Sequence, residues 1–145
     1  IVCFAVCFNG CNAFFNGYAL FHLGPALSSK WLTDIRFILG TVFFLAGLAI
    51  NIHSDRILRK LRERGDSSYK IPSGGLFRFV SCPNYFGEIL EWSGWALATW
   101  SLAGFSFMLW TIANLAPRAI TYHSWYKKTF AAYPAGRKAL IPWLL

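Results

Sequence analysis

The sequence predicts an all-α fold, a polytopic membrane helical bundle with about four transmembrane helices. Three observations carry that expectation. The chain is 56% hydrophobic and only 14% charged, against about 25% charged in soluble domains. Its apolar residues fall in runs long enough to cross roughly 30 Å of hydrocarbon. Its charge lies mainly between those runs. The formal net charge of +8 fits basic flanks on the cytosolic side of spans better than a nucleic-acid surface, so membrane lipid, not nucleic acid, is the expected partner.

The first span covers Ile1 to about Leu20 and holds no Asp, Glu, Lys or Arg. Asn9, Asn12 and Asn16 are roughly helix-spaced within it and read either as interhelical hydrogen bonds or as a polar seam toward the interior. Cys3, Cys7 and Cys11 recur every fourth residue, without metal-ligand spacing, and read as small apolar residues on a helix face. The chain starts inside an apolar run and its only Met is Met108, which reads as a fragment.

His22 to Asp34 reads as a loop with Gly24-Pro25 and Ser28-Ser29 as breakers. A second span from Trp31 or Leu32 to Ile52 continues into water as NIHSDRILRKLRER. Gly65-Asp66-Ser67-Ser68 ends that helix, and Tyr69 to Gly75 is a turn-rich connection. Leu76 to Val80 is a short apolar re-entry. The third span is Cys82 to Trp100, with Pro83 suited to its first turn. Ser101 to Gly104 is a tight turn. A fourth span opens at Phe105, Pro117 is placed to kink it, and the helix resumes before a basic and then apolar tail at 133–145.

The third span carries the most informative polar residues. Asn84, Glu88 and Glu91 lie at i, i+4 and i+7, one face of a helix. An acid at membrane depth costs roughly 2.5–3.5 kcal/mol on insertion scales, so this face turns inward. It is either a structural polar network or a functional pocket. Asn51, Asp55, Arg59 and Arg62 form a second stripe, in which Asp55 and Arg59 alternatively make an i,i+4 ion pair on a solvated face. Arg118, Tyr122 and Tyr126 form a third. Arg56–Lys70 holds six Lys or Arg, and the tail from Arg118 holds only basic charges, so both lie on the cytosolic side. All three stripes then reach one level. Arginines suit phosphates, and amide and acid side chains suit amides and ribose hydroxyls, so a dinucleotide is a plausible guest. Neither GxGxxG nor GxxxxGK[ST] occurs, so no soluble nucleotide fold is indicated. His22, His53 and His123 are scattered, and no metal is expected.

INIHSD at 50–55, LRKLR at 58–62, and YKIPSGGLFRFVSCPNYFGEILEWSGWALATWS at 69–101 resemble the membrane steroid 5α-reductases (3-oxo-5α-steroid 4-dehydrogenases). NLAPRA at 114–119, HSWY at 123–126 and RKALIPWLL at 137–145 complete the resemblance, which looks closest to the plant-type branch. It implies that residues 1–145 are the C-terminal membrane domain of a seven-helix fold in the endoplasmic reticulum, with the cofactor site toward the cytosol. It implies NADPH as hydride donor and a steroid or other lipid enone as substrate. By the same resemblance, Asn51, Asp55, Arg62, Tyr69, Asn84, Arg118 and Tyr126 fall on or beside family cofactor positions. Glu88, Glu91, Lys70 and Tyr122 form a supporting polar network. Tyr122 stands where animal members carry His, and Lys70 where some carry Arg. The family's Glu and Tyr that grip the substrate ketone lie upstream of this chain, so its catalytic residues are not named and the chain alone is expected to be inactive.

The nearest alternative is a trans-2-enoyl-CoA reductase of fatty-acid elongation, which shares the SCPNY wording and the chemistry. An isoprenylcysteine-type methyltransferase needs fewer cations than Arg59, Arg62, Lys70 and Arg118. A membrane scaffold or pseudoenzyme is the non-enzymatic alternative, for which Arg62→Ala and Asn84→Ala change stability but not ligand binding.

Overall fold

The structure, a computed structural model, describes residues 2–24, 28–62 and 69–145, without the side chains of Val2, Phe4, Ala5 and Arg62. The expected breaker at Pro25 and the helix stop at Gly65 to Ser68 lie outside the described residues. Four α-helices follow in order: α1 (Val2–Tyr18), α2 (Ile35–Arg62), α3 (Pro83–Thr99) and α4 (Leu102–Thr129). Short helical turns at Ala19–Leu23, Ser29–Thr33 and Gly75–Arg78 fill the connections. The protein is a membrane helical bundle. Among the described residues, Ile35–Leu61 is the one helical stretch long and apolar enough to cross a membrane by itself. Helices α1 and α3 have 17 residues each, about 25 Å at 1.5 Å per residue.

Helix starts are set by local chemistry. α2 begins at Ile35 rather than at Trp31 or Leu32, because Ser29–Thr33 closes its own turn and Asp34 becomes the cap. The Asp34 carboxylate accepts from the Arg36 backbone N–H at 2.8 Å and from the Arg36 guanidinium at 2.9 Å through each oxygen. That pairing holds the Asp34 carboxyl down at about 2, and a side-chain acceptor here satisfies a first-turn donor that the helix leaves free. Pro83 opens α3 as its spacing predicts. The expected turn at Ser101 to Gly104 is shorter than predicted. Trp100 takes the left-handed conformation at φ 45°, and the Ser101 hydroxyl accepts from the Gly104 N–H at 3.1 Å as an N-cap, so α4 starts at Leu102. Pro117 does not divide α4, which runs unbroken to Thr129.

The bundle rests on the α2–α3 pair, its most extensive contact. Gly40 and Gly47 of α2 face Gly94 and Gly87 of α3. A Cβ added at any of the four would lie within 3.0 Å of the partner's backbone, including Ala98, Glu91, Asn51 and Phe44. Each pair of glycines is seven residues apart, two turns on one face. In an apolar medium, backbones that approach this closely gain dispersion contacts that larger side chains would hold apart. The asparagines of α1 form a short seam: Asn16 Nδ2 donates to Asn12 Oδ1 at 2.8 Å, and Trp95 Nε1 of α3 donates to Asn16 Oδ1 at 3.4 Å.

The tail departs most from expectation. It folds back beside the strap before α3. Lys138 N donates to Phe79 O at 2.9 Å, Ser81 N to Lys138 O at 2.9 Å and Cys82 N to Ala139 O at 3.2 Å. Cys82, Ala119, Ala139 and Leu140 form a small buried core there.

Two substitutions separate close approach from helix propensity. Gly47→Ala or Gly94→Ala lowers stability by about 1–3 kcal/mol through overpacking. Gly10→Ala, with nothing within 4 Å of the added methyl, raises it slightly, as alanine does in a helix. Thermal unfolding in detergent, followed by circular dichroism, reads the difference. Equal stability of the seam variants and the parent would show that the seam is not the constraint.

Candidate functional site

The glycine seam fixes the level at which polar residues of α2 meet those of α3. Asn51 follows Gly47 by one turn, and its backbone N packs on Gly87. Asn84, Glu88 and Glu91 lie on the turns around Gly87. Glu88 is within electrostatic reach of Asp55 on α2 and Arg118 on α4, and Glu91 is within reach of Glu88. The three polar stripes therefore do reach one region of the bundle.

Within that region the groups do not bond to one another. Asn51, Asp55, Asn84, Glu88 and Glu91 are each half-buried. Among the described residues, none of their side chains makes a hydrogen bond or ion pair. The alternative reading of Asp55 and Arg59 as an ion pair is not met, since Arg36–Asp34 is the one ion pair among the described residues. Arg59 Nε instead reaches the Asp55 backbone carbonyl at a long 3.5 Å. A polar network built to tie helices together would satisfy its own donors and acceptors, and this one does not.

The remaining predicted residues divide by exposure. Arg118 and Tyr122 of α4 are exposed. The Tyr122 ring lies 6.2 Å from that of Tyr85 on α3. Tyr126 is half-buried and stacks on Tyr133 at 5.3 Å, and burial pushes its hydroxyl up to about 12. Tyr69 is 73% exposed, its ring edge-on to Trp125 at 5.1 Å. Lys70 is half-buried. Arg62 ends α2, and its side chain lies outside what is described. No group of three His, Cys, Asp or Glu side chains able to hold a metal occurs among the described residues.

A second cluster lies beside the first and was not visible in the spacing. Ser81, 4% exposed, brings its hydroxyl to three partners: His123 Nδ1 at 2.6 Å, Tyr133 Oη at 2.6 Å and the Lys138 carbonyl at 3.1 Å. A hydroxyl has one proton to give. If Ser81 donates it to the Lys138 carbonyl, it accepts from the Tyr133 O–H and from a protonated His123 Nδ1, and we assign that tautomer from the pattern. Arg137, 8% exposed, stacks on Tyr133 with its guanidinium carbon 5.2 Å from the ring centre. These contacts join residues 42 and 52 positions apart, beyond the reach of any helical period. HSWY and RKALIPWLL were recognised as motifs, but nothing in them announced this contact.

A family model described as 3-oxo-5-alpha-steroid 4-dehydrogenase matches residues 1–145. The chain is 48% identical over 140 residues to 3-oxo-5-alpha-steroid 4-dehydrogenase 1 of Homo sapiens, covering 97% of this chain and 54% of that protein. It is 50% identical over 133 residues to 3-oxo-5-alpha-steroid 4-dehydrogenase 2 of Homo sapiens, covering 92% and 52%. The rat type 1 protein (Rattus norvegicus) is 47% identical over 148 residues, covering 100% of this chain and 56% of its own length. The chain thus spans about half the length of the curated relatives it matches.

His123 gives the second cluster a pH signature. Burial first, then the charges of Lys127 and Lys138, hold its pKa below the ordinary 6.5. A histidine with a depressed folded pKa binds fewer protons folded than unfolded, so its share of stability is complete above the unfolded value and is lost as pH falls through the folded one. Melting temperature is therefore level with respect to His123 above pH 6.5 and declines below it. His123→Gln flattens that acid limb. An unchanged limb in the variant would assign the decline to other groups.

Proposed function

The chain belongs to the 3-oxo-5-alpha-steroid 4-dehydrogenase family, and on that premise we propose that it is the C-terminal membrane portion of an NADPH-dependent steroid 5α-reductase. The proposed reaction saturates the C4–C5 double bond of a 3-oxo-4-ene steroid. The observation that carries the cofactor half of this reading is the set of unbonded polar side chains. Five half-buried hydrogen-bonding groups stand on two packed helices, with Arg118 within electrostatic reach of Glu88.

This donor set fits a dinucleotide. The Asn51 and Asn84 side chains each offer a carbonyl acceptor and two N–H donors, suited to a carboxamide or a base edge. Asp55 accepts from ribose hydroxyls. Arg118, and Arg62 at the end of α2, supply charge for phosphates. Tyr126 and Tyr69 supply aromatic faces and hydroxyls at the rim. Glu88 and Glu91 balance these cations and orient them, with Lys70 and Tyr122 in support. NADPH, when bound, supplies the hydride that reaches the β carbon of the enone. The chain's own part is to bind and orient the cofactor and to exclude water at the helix interface. The residues that grip the substrate ketone come from the family's upstream helices. Basic flanks at Arg56–Lys70 and in the tail support a cytosolic cofactor side in this reading, and the resemblance to the family supports the endoplasmic reticulum as its membrane.

The test is turnover in microsomes that carry the chain with its upstream sequence in place. NADPH with a 4-en-3-one steroid should yield a product heavier by two hydrogens, seen by mass spectrometry, while a long-chain 2-enoyl-CoA is left unchanged. Asn84→Ala should weaken NADPH binding about tenfold, the loss of roughly 1.4 kcal/mol, and the 145-residue chain alone should not turn over. Reduction of the thioester alone would move the protein to the elongation enzymes. Unaltered NADPH binding in Asn84→Ala would remove the proposed site.

A further inference from the structure

We propose that the groove between α2 and the strap before α3 is a binding site for an anionic phospholipid of the cytosolic leaflet. The groove encloses about 600 Å³, within the size range of small-molecule sites. Ala49, Ile50 and His53 of α2 form one wall, and Leu76, Arg78 and Phe79 form the other. Gly75 brings the walls together. It takes the left-handed conformation at φ 50°, and a Cβ there would lie 2.7 Å from His53 Nε2. The strap therefore rests directly on the imidazole and holds it at the wall. The site is separate from the proposed cofactor region. With about 3.6 residues per turn, Asn51 and Asp55 lie on one flank of the Gly47–Ser54 face of α2, and Ile50 and His53 lie on the other.

Depth along α2 selects the occupant. At the start of α2, Arg36 pairs with Asp34 and lies between the rings of Trp31 and Trp100 at 4.5 and 4.8 Å. Charged and indole groups together mark one membrane interface. His53 lies about 27 Å further along the axis at 1.5 Å per residue, close to the roughly 30 Å thickness of the hydrocarbon. Ala49 and Ile50 are then inside the apolar layer, and His53 and Arg78 are at headgroup level. Phe79 and Trp143 stand 5.4 Å apart beside the groove, 41% and 80% exposed, as aromatic side chains do at this second interface. Arg78 and His53 are exposed, and among the described residues neither makes a hydrogen bond or an ion pair. Lys60 stands two turns beyond His53 on the same face, so the mouth is cationic. A phosphate matches the Arg78 fork, and the His53 ring carries an N–H in either tautomer. An acyl chain suits the apolar end between Ile50, Leu76 and Phe79. An apolar end at hydrocarbon depth and a cationic mouth at headgroup depth match the two halves of one anionic lipid. The choice of leaflet rests on the orientation proposed from the basic flanks.

The experiment uses the protein with its upstream sequence in place, purified in detergent, and titrates it with phosphatidylinositol or phosphatidylcholine. Native mass spectrometry counts the bound lipid, and melting temperature is read at each step. No NADPH is present, so the outcome is independent of the cofactor reading. The parent should hold one phosphatidylinositol and rise in melting temperature as it binds. Arg78→Gln should weaken that binding about fivefold, the share of one cation near an anionic headgroup. Arg78→Lys should fall between, since lysine keeps the charge and loses the fork. Ala49→Trp fills the apolar end without changing charge and should weaken the binding as well. Lys128→Gln removes an exposed cation of α4 outside the groove and should bind as the parent does. Equal binding of the two lipids by the parent, or equal losses in Arg78→Gln and Lys128→Gln, overturns the site. A parent without adducts, whose lipid-free melting temperature falls on Ala49→Trp, assigns the groove to the protein's own upstream segment. Dimers that Ala49→Trp dissociates assign it to a second copy. Either result overturns the lipid.

Discussion

Backbone contact between α2 and α3 is the constraint on which the rest depends. Side chains normally hold helices 8–10 Å apart. Gly40 and Gly47 against Gly94 and Gly87 remove that spacing. In lipid there is no hydrophobic gain from bringing two apolar helices together, so dispersion between closely packed surfaces has to supply the association. The same closeness sets register. Sliding one helix past the other by a single residue would drive a Cβ into a facing carbonyl or N–H. Ser54, seven residues beyond Gly47 and 2% exposed, extends the tight face and returns its hydroxyl to the Ile50 carbonyl at 2.7 Å, so the seam stays small without leaving a polar group unpaired.

Fixed register turns two ordinary stripes into one polar region. Asn51 must come level with Gly87, and therefore with Asn84 and Glu88 on the neighbouring turns. Each group separately would be costly at membrane depth. The acids Asp55, Glu88 and Glu91 oppose one another as like charges, and Arg118 near Glu88 offsets part of that cost. Their hydrogen-bonding capacity is nonetheless unspent among the described residues. A structural network stabilises only when its members are satisfied. A binding site holds its groups apart and lets the guest complete them. The unbonded side chains of Asn51, Asp55, Asn84, Glu88 and Glu91 are what the proposed cofactor site calls for.

Much of the fold was legible because its signals are local. Helical spacing placed the four helices, Pro83 marked the start of α3, and the polar stripes were found by counting in fours. What was missed depends on distance along the chain. The role of Gly47 was not legible, because one helix alone does not reveal what a glycine faces. Asp34 and Ser101 were read as loop and turn, although both are caps. Pro117 lies inside α4, which continues as one helix to Thr129, and Thr121 returns its hydroxyl to the Pro117 carbonyl at 3.0 Å. His123 was weighed only as a scattered metal ligand. Its partner is Ser81, 42 residues away, and nothing between them in the sequence announces the contact.

The tail shows why long-range closure matters to the site. A terminal segment of Pro, Gly and basic residues has little reason to order itself. Here it gains three backbone hydrogen bonds to residues 79–82, the Ser81 hydroxyl and a small apolar core at Ala139 and Leu140. These offset the conformational entropy of ordering it and leave α3 with a fixed entry. Asn84 is two residues past Cys82, so any loosening of the tail reaches it within one turn. The tail is therefore a positioning element for α3.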